Sequence, residues 1–119
     1  MSDIDSIYSL VALDIDGTMI GEDRIVTPEL VDAIARVQSL GAVVSVSTGR
    51  MLTPARRIAE QAGATGPIIC FQGAMTFDQE ANSAVRHVRL NEAVTARAGV
   101  SIRPVETDTT APSDCTRAI

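Results

Sequence analysis

Lysine is absent from this chain of 119 residues; all ten basic residues are arginine, and fifteen carboxylates leave a formal net charge of -5. A nucleic-acid or anionic-membrane surface is therefore excluded, because such partners need a basic patch and Arg86 and Arg89 are too few to make one. A small anionic substrate is not excluded, since a bound metal dominates the local field whatever the net charge. Cysteine is scarce as well. Cys70 and Cys115 are too few and too far apart for a disulfide framework or a zinc motif, and His87 stands alone, so a reducing cytoplasm is the expected compartment. The first six residues are acidic and lack the basic segment and apolar core of a signal peptide. No apolar run approaches the roughly 20 residues of a membrane span. Aromatic residues number three, Tyr8, Phe71 and Phe77, which leaves Val, Ile, Leu and Ala to fill the core. An apolar share of 45% is enough for a folded domain, and the length allows one domain or part of one.

What is present is organised around Val11-Ala12-Leu13-Asp14-Ile15-Asp16-Gly17-Thr18, an apolar run that ends in two carboxylates, a glycine and a hydroxyl. Its first half suits a strand buried on both faces in the middle of a parallel sheet. Asp14 and Asp16, two apart in extended chain, then point to one side as the strand runs out. Gly17 allows a sharp exit, and Thr18 offers a hydroxyl to orient a neighbouring carboxylate. Two carboxylates this close repel unless a cation sits between them or one is protonated. The pair thus suggests either a divalent metal site, for which an oxygen-ligated ion such as Mg2+ fits best, or an acid and a base with separated pKa values. The bland alternative is a polar turn after a strand.

The rest of the chain alternates. Residues 20–26 read as a small hairpin or flap beside the aspartates. Thr27 caps a helix with Pro28 at its first position and Leu30, Val31, Ile34, Val37 and Leu40 on one face, and Gly41 ends it. Residues 42–47 form a second strand finishing in Thr48-Gly49-Arg50; Thr53-Pro54 opens a second helix with Ile58 and Ala62 on its apolar face, closed by Gly63 and Gly66. Residues 67–71 form a third strand ending in Gln72-Gly73-Ala74. Such alternation predicts parallel order, right-handed crossovers and a crevice at the strands' carboxyl ends, where the polar residues collect. From Met75 the pattern becomes an antiparallel hairpin, with a brief helix capped by Asn91 and running to Ala98. Residues 99–119 lose periodicity and are rich in Thr, Ser, Asp and Pro, so an irregular tail is expected there.

Asp14-Ile15-Asp16-Gly17-Thr18, then Ser47-Thr48-Gly49-Arg50, then a Gly-Ala turn after the third strand, resemble the haloacid dehalogenase superfamily of phosphatases, and in particular its Cof-type branch. The resemblance covers about residues 8 to 98. It implies an α/β fold: a partial Rossmann-like core with a parallel sheet over residues 1–74, followed over 75–98 by a hairpin leading toward a cap domain. It also implies hydrolysis of a small phosphorylated metabolite such as a sugar phosphate. In that scheme Asp14 is the nucleophile that becomes an aspartyl-phosphate, and Asp16 is the general acid and base. Asp14 and Asp16, the latter through its backbone carbonyl, hold Mg2+, while Thr48 binds the phosphoryl group with Gly49 and Arg50 beside it.

The chain departs from the family pattern in three places. Gln72 stands where related sequences carry asparagine. The family's lysine has no counterpart, and Asp78, Asp108 and Asp114, the aspartates after Gly73, lie in no Gly-Asp motif of the kind that completes the metal site. The expectation is the N-terminal portion of such a phosphatase, as a truncation or frameshift would leave it, with little or no turnover of its own. A non-catalytic metal- or phosphate-binding remnant, or a half-domain awaiting a partner, is the alternative. A signalling receiver domain has a similar acidic pair, but it needs an acceptor aspartate after the third strand, where this chain has Cys70-Phe71-Gln72.

Overall fold

A computed structural model describes residues 8–97. The tail expected over 99–119, and the end of the last helix at Ala98, lie outside the described residues. The chain runs β1 (Leu10–Leu13), α1 (Pro28–Ser39), β2 (Val43–Ser47), α2 (Leu52–Ala62), β3 (Ile68–Cys70), a short 3-10 turn (Phe71–Gly73), β4 (Met75–Asp78), β5 (Ser83–His87) and α3 (Glu92–Arg97). One sheet takes the five strands in sequence order. β1, β2 and β3 are parallel, and β4 and β5 return antiparallel as the expected hairpin, with a register shift between Thr76 and Phe77.

Helices α1 and α2 pack together against one face of this sheet. Val44 and Val46 of β2, Ile68 and Cys70 of β3, and Met75 and Phe77 of β4 alternate toward that face and are buried with Ile34 of α1 and Ala55, Ile58 and Ala59 of α2. The small alanines of α2 let the helix sit close to the strands, which a core with so few aromatics requires. Thr27 caps α1 as its sequence predicts, its Oγ1 accepting the Leu30 N–H at 3.3 Å. Gly63 ends α2 in the left-handed region at φ 74°. Asn91 caps α3, its Oδ1 accepting the Ala93 N–H at 2.8 Å.

Three local expectations are corrected. Helix α2 begins at Leu52 with Met51 as its uncapped lead-in, because burial of Leu52 draws the first turn into the core; Pro54 is tolerated at the third position, where its missing N–H has no intrahelical partner to lose. Residues 20–26 form no hairpin. Ile20 is buried and tied back by its N–H to Ile15 O at 3.0 Å, whereas Ile25 is exposed, and Asp23 Oδ1 accepts the Ile25 N–H at 3.2 Å in a tight turn. The third correction concerns β1. It is an edge strand, paired with β2 alone among the described residues, and Leu10 on its outer face is 54% exposed.

Candidate active site

The parallel strands end side by side, and the segments that follow them enclose a cleft of about 830 Å3 lined by Asp14, Asp16, Thr48, Arg50, Gln72 and neighbouring backbone. Asp14 comes directly off β1. Its Oδ1 accepts the Ile15 N–H at 2.8 Å, which fixes the carboxylate and leaves its second oxygen without a hydrogen bond among the described residues. Beyond it the chain coils tightly: Met19 N–H reaches Ile15 O at 3.0 Å and Gly17 N–H reaches Ile20 O at 2.9 Å, with Gly17 at φ 78°. Burial of Ile15, Met19 and Ile20 anchors this coil, so Asp16 is carried on a rigid loop over the cleft. The Thr18 hydroxyl, expected to orient a carboxylate, is exposed and bonds neither aspartate.

Thr48 is buried at the end of β2. Its N–H donates to Ile69 O at 2.8 Å, and its Oγ1 accepts the Arg50 N–H at 3.1 Å. With the oxygen so engaged, the hydroxyl proton is available to donate into the cleft. Gly49 lies under the carboxamide of Gln72. Arg50 turns back across the cleft onto Asp16, with Nε to Oδ2 at 2.8 Å and a terminal nitrogen to Oδ1 at 2.6 Å. This fork holds the Asp16 carboxyl below its ordinary pKa, chiefly through the Arg50 hydrogen bonds, with the charges of Arg50 and Arg24 adding to the effect. The general acid role needs the opposite shift.

Asp14 and Asp16 are the cleft's carboxylates, and no group of three metal-ligating side chains occurs among the described residues. A hard cation that keeps several waters and needs one or two carboxylates fits that set. The open oxygen of Asp14 suits it, whereas both oxygens of Asp16 are taken by Arg50. The Arg50–Asp16 fork and the Gln72 contact with Gly49 were not legible in the motifs; a cation three residues past a strand end was the available signal for the first.

The sequence profile of the haloacid dehalogenase-like hydrolases matches residues 11–98. The chain belongs to that family. Its Asp-x-Asp-Gly-Thr and Thr-Gly-Arg segments place it in the Cof-type branch. Over 77 residues it is 31% identical to a 5-amino-6-(5-phospho-D-ribitylamino)uracil phosphatase of Bacillus subtilis (strain 168), covering 65% of this chain and 31% of that protein. Over 78 residues it is 37% identical to a phosphoglycolate phosphatase of Methanopyrus kandleri, covering 65% of this chain and 34% of the relative. A haloacid dehalogenase-like hydrolase structure from B. subtilis superposes with a TM-score of 0.68 at 29% identity, over 76% of this chain and 31% of that one. The chain thus spans about a third of the length of the curated relatives it matches. Among the described residues no helix is long and apolar enough to cross a membrane.

Proposed function

We propose that this chain carries the nucleophile and phosphoryl-binding half of a hydrolase acting on small phosphomonoesters, with weak or no turnover by itself. The observation that carries the reading is the placement of Asp14, with one carboxylate oxygen unbonded among the described residues, and the buried Thr48 hydroxyl at adjacent strand ends in one cleft. Asp14 is fixed by the Ile15 N–H and is the group to attack phosphorus, forming an aspartyl-phosphate as the ester oxygen departs. Thr48 donates its hydroxyl proton to a phosphoryl oxygen, with the Gly49 backbone beside it. Mg2+, held by Asp14 and the Asp16 carbonyl, supplies a Lewis acid for the phosphoryl charge when bound.

Asp16 is the acid and base of the scheme. In the arrangement seen both its oxygens are clamped by Arg50 and its pKa is held down, which disfavours protonating a leaving alkoxide and weakens it as a base toward water. Together with the lack of lysine in this chain, that supports weak turnover. The relatives' activities, on a phosphoribitylamino-uracil and on phosphoglycolate, support a small phosphorylated metabolite as the substrate class. A cytoplasmic setting accords with such a substrate. The alternative, a half-domain that works only with a partner, is favoured by one observation: among the described residues the strand bearing Asp14 pairs on one side only.

Binding and hydrolysis measured together test the reading. With Mg2+ and inorganic phosphate, backbone amide resonances of residues 14–16 and 48–50 shift on titration. Hydrolysis of p-nitrophenyl phosphate stays near background, and what there is disappears in Asp14→Asn. Absence of the shifts removes the site, and rapid Asp14-dependent hydrolysis removes the claim of weak turnover.

A further inference from the structure

After β3 the backbone enters the left-handed region at three successive residues, Phe71 at φ 52°, Gln72 at 54° and Gly73 at 88°. Glycine adopts that conformation freely, whereas phenylalanine and glutamine do so rarely. The turn is hung from the segment that supplies Thr48 and Arg50: Phe71 N–H donates to Arg50 O at 2.9 Å and Gln72 N–H to Thr48 O at 3.3 Å. Arg86 holds the far side, donating to Gly73 O at 3.0 Å. These bonds lay the Gln72 side chain over Gly49, where an added Cβ would fall 2.4 Å from Nε2 and 2.9 Å from Cδ. Gly49 has no positive φ, so the neighbour, and not the backbone, requires a glycine there. The carboxamide lines the cleft, is exposed, and has no hydrogen-bond partner among the described residues. An uncommon backbone conformation that presents an unengaged polar group to a cleft points to a ligand contact.

We propose that Gln72 is a specificity-determining residue, set over Gly49 to hydrogen-bond a hydroxyl on the alcohol portion of the phosphomonoester. The inference rests on the phosphomonoester reading above and adds to it which residue reads the group beyond the phosphate. Adjacent strands lie about 4.8 Å apart, so the ends of β1 and β3 are roughly 10 Å apart. A phosphoryl group between Asp14 and Thr48 therefore leaves on the order of 5 Å to the carboxamide, the reach of a hydroxyl a few bonds from the ester oxygen. A carboxamide both donates and accepts, which matches a hydroxyl better than it matches a carboxylate or an apolar group.

The test compares dissociation constants of inorganic phosphate and glycerol phosphate, each with Mg2+, for the whole chain and for Gln72→Ala. Glycerol phosphate is expected to bind about 3- to 10-fold more tightly than phosphate, the worth of one net hydrogen bond. Gln72→Ala brings the ratio to near one by removing the carboxamide, while the affinity for phosphate stays unchanged. In the unsubstituted chain the Gln72 side-chain amide resonance shifts with glycerol phosphate and not with phosphate, a readout that requires no variant to fold. A ratio that survives the substitution, or a Gln72 amide that stays still while the amides of residues 14–16 move, overturns this proposal alone. Failure of phosphate itself to move those amides overturns the phosphomonoester reading and this one with it.

Discussion

Arg50 engages both oxygens of Asp16, and that fork sets the charge state of the cleft. A carboxyl whose folded pKa is depressed contributes stability that is present above the ordinary carboxylate range and is lost as pH falls through the folded value. Arg50→Gln removes the two charge-assisted bonds, so the Asp16 carboxyl is expected to rise toward its ordinary value. The acid-side loss of stability that belongs to this pair then disappears. Carboxyl carbon NMR titration of Asp16, with thermal melts taken from neutral to acid pH, checks both halves; an Asp16 titration unmoved by the substitution would sink the assignment. The same pair shows how far the site could be read from sequence. Asp14, Asp16, Thr48, Gly49 and Arg50 were all placed in one crevice by the rule that polar residues gather at parallel strand ends, and all five line the cleft. Which of them would bond to each other was not legible, since a motif fixes a residue's position along a strand but not its side-chain rotamer.

Gly66 shows at the scale of an element how tightly β2 and β3 are joined. Its N–H donates to Val44 O at 2.9 Å and its carbonyl accepts from Gln79 Nε2 at 2.6 Å, so it pins the α2–β3 connection to β2 and to the turn after β4. A Cβ there would fall 2.4 Å from Val44 O and 2.7 Å from Val43 Cγ1, and the first of these is sheet backbone that cannot move aside. Gly66→Ala is expected to cost about 2–3 kcal/mol by overpacking. Gly63→Ala, where nothing lies within 4 Å and only the left-handed φ of 74° resists, should cost about 1 kcal/mol. Urea unfolding of the two variants orders them, and a Gly66→Ala loss no larger than that of Gly63→Ala would contradict the contact. From sequence, Gly66 was only one of two glycines closing α2. Helix faces and strand cores were legible because spacing reports burial directly: Ile34, Ile58 and Ala62 all fell inside. The hairpin over residues 20–26 did not form because short apolar pairs around a charged turn match a hairpin locally, while the core claimed Ile20 and left Ile25 outside.

At the scale of the whole molecule, edge placement leaves β1 without a second strand beside it among the described residues. The register sets Leu10 beside Val43 and Ala12 beside Ser45 on the sheet face away from the helices, and Leu10 and Val43 are 54% and 42% exposed. The apolar composition of β1 suggested burial on both faces, but composition reports only that a strand is fit to be covered. What lies across it depends on parts of the fold the strand itself does not encode. An apolar edge with no charge or proline to guard it is a template for pairing with another chain. Purified protein is therefore expected to associate reversibly as concentration rises, and Leu10→Lys, which puts an edge charge on the exposed face, to suppress that association. Because Leu10 is largely outside the core, the substitution should leave unfolding free energy within about 0.5 kcal/mol of the unsubstituted chain. Sedimentation velocity over a concentration series, paired with urea unfolding, separates the possibilities. A monomer at every concentration shows that the edge is not sticky in solution, and association that persists in Leu10→Lys moves the contact to some other surface.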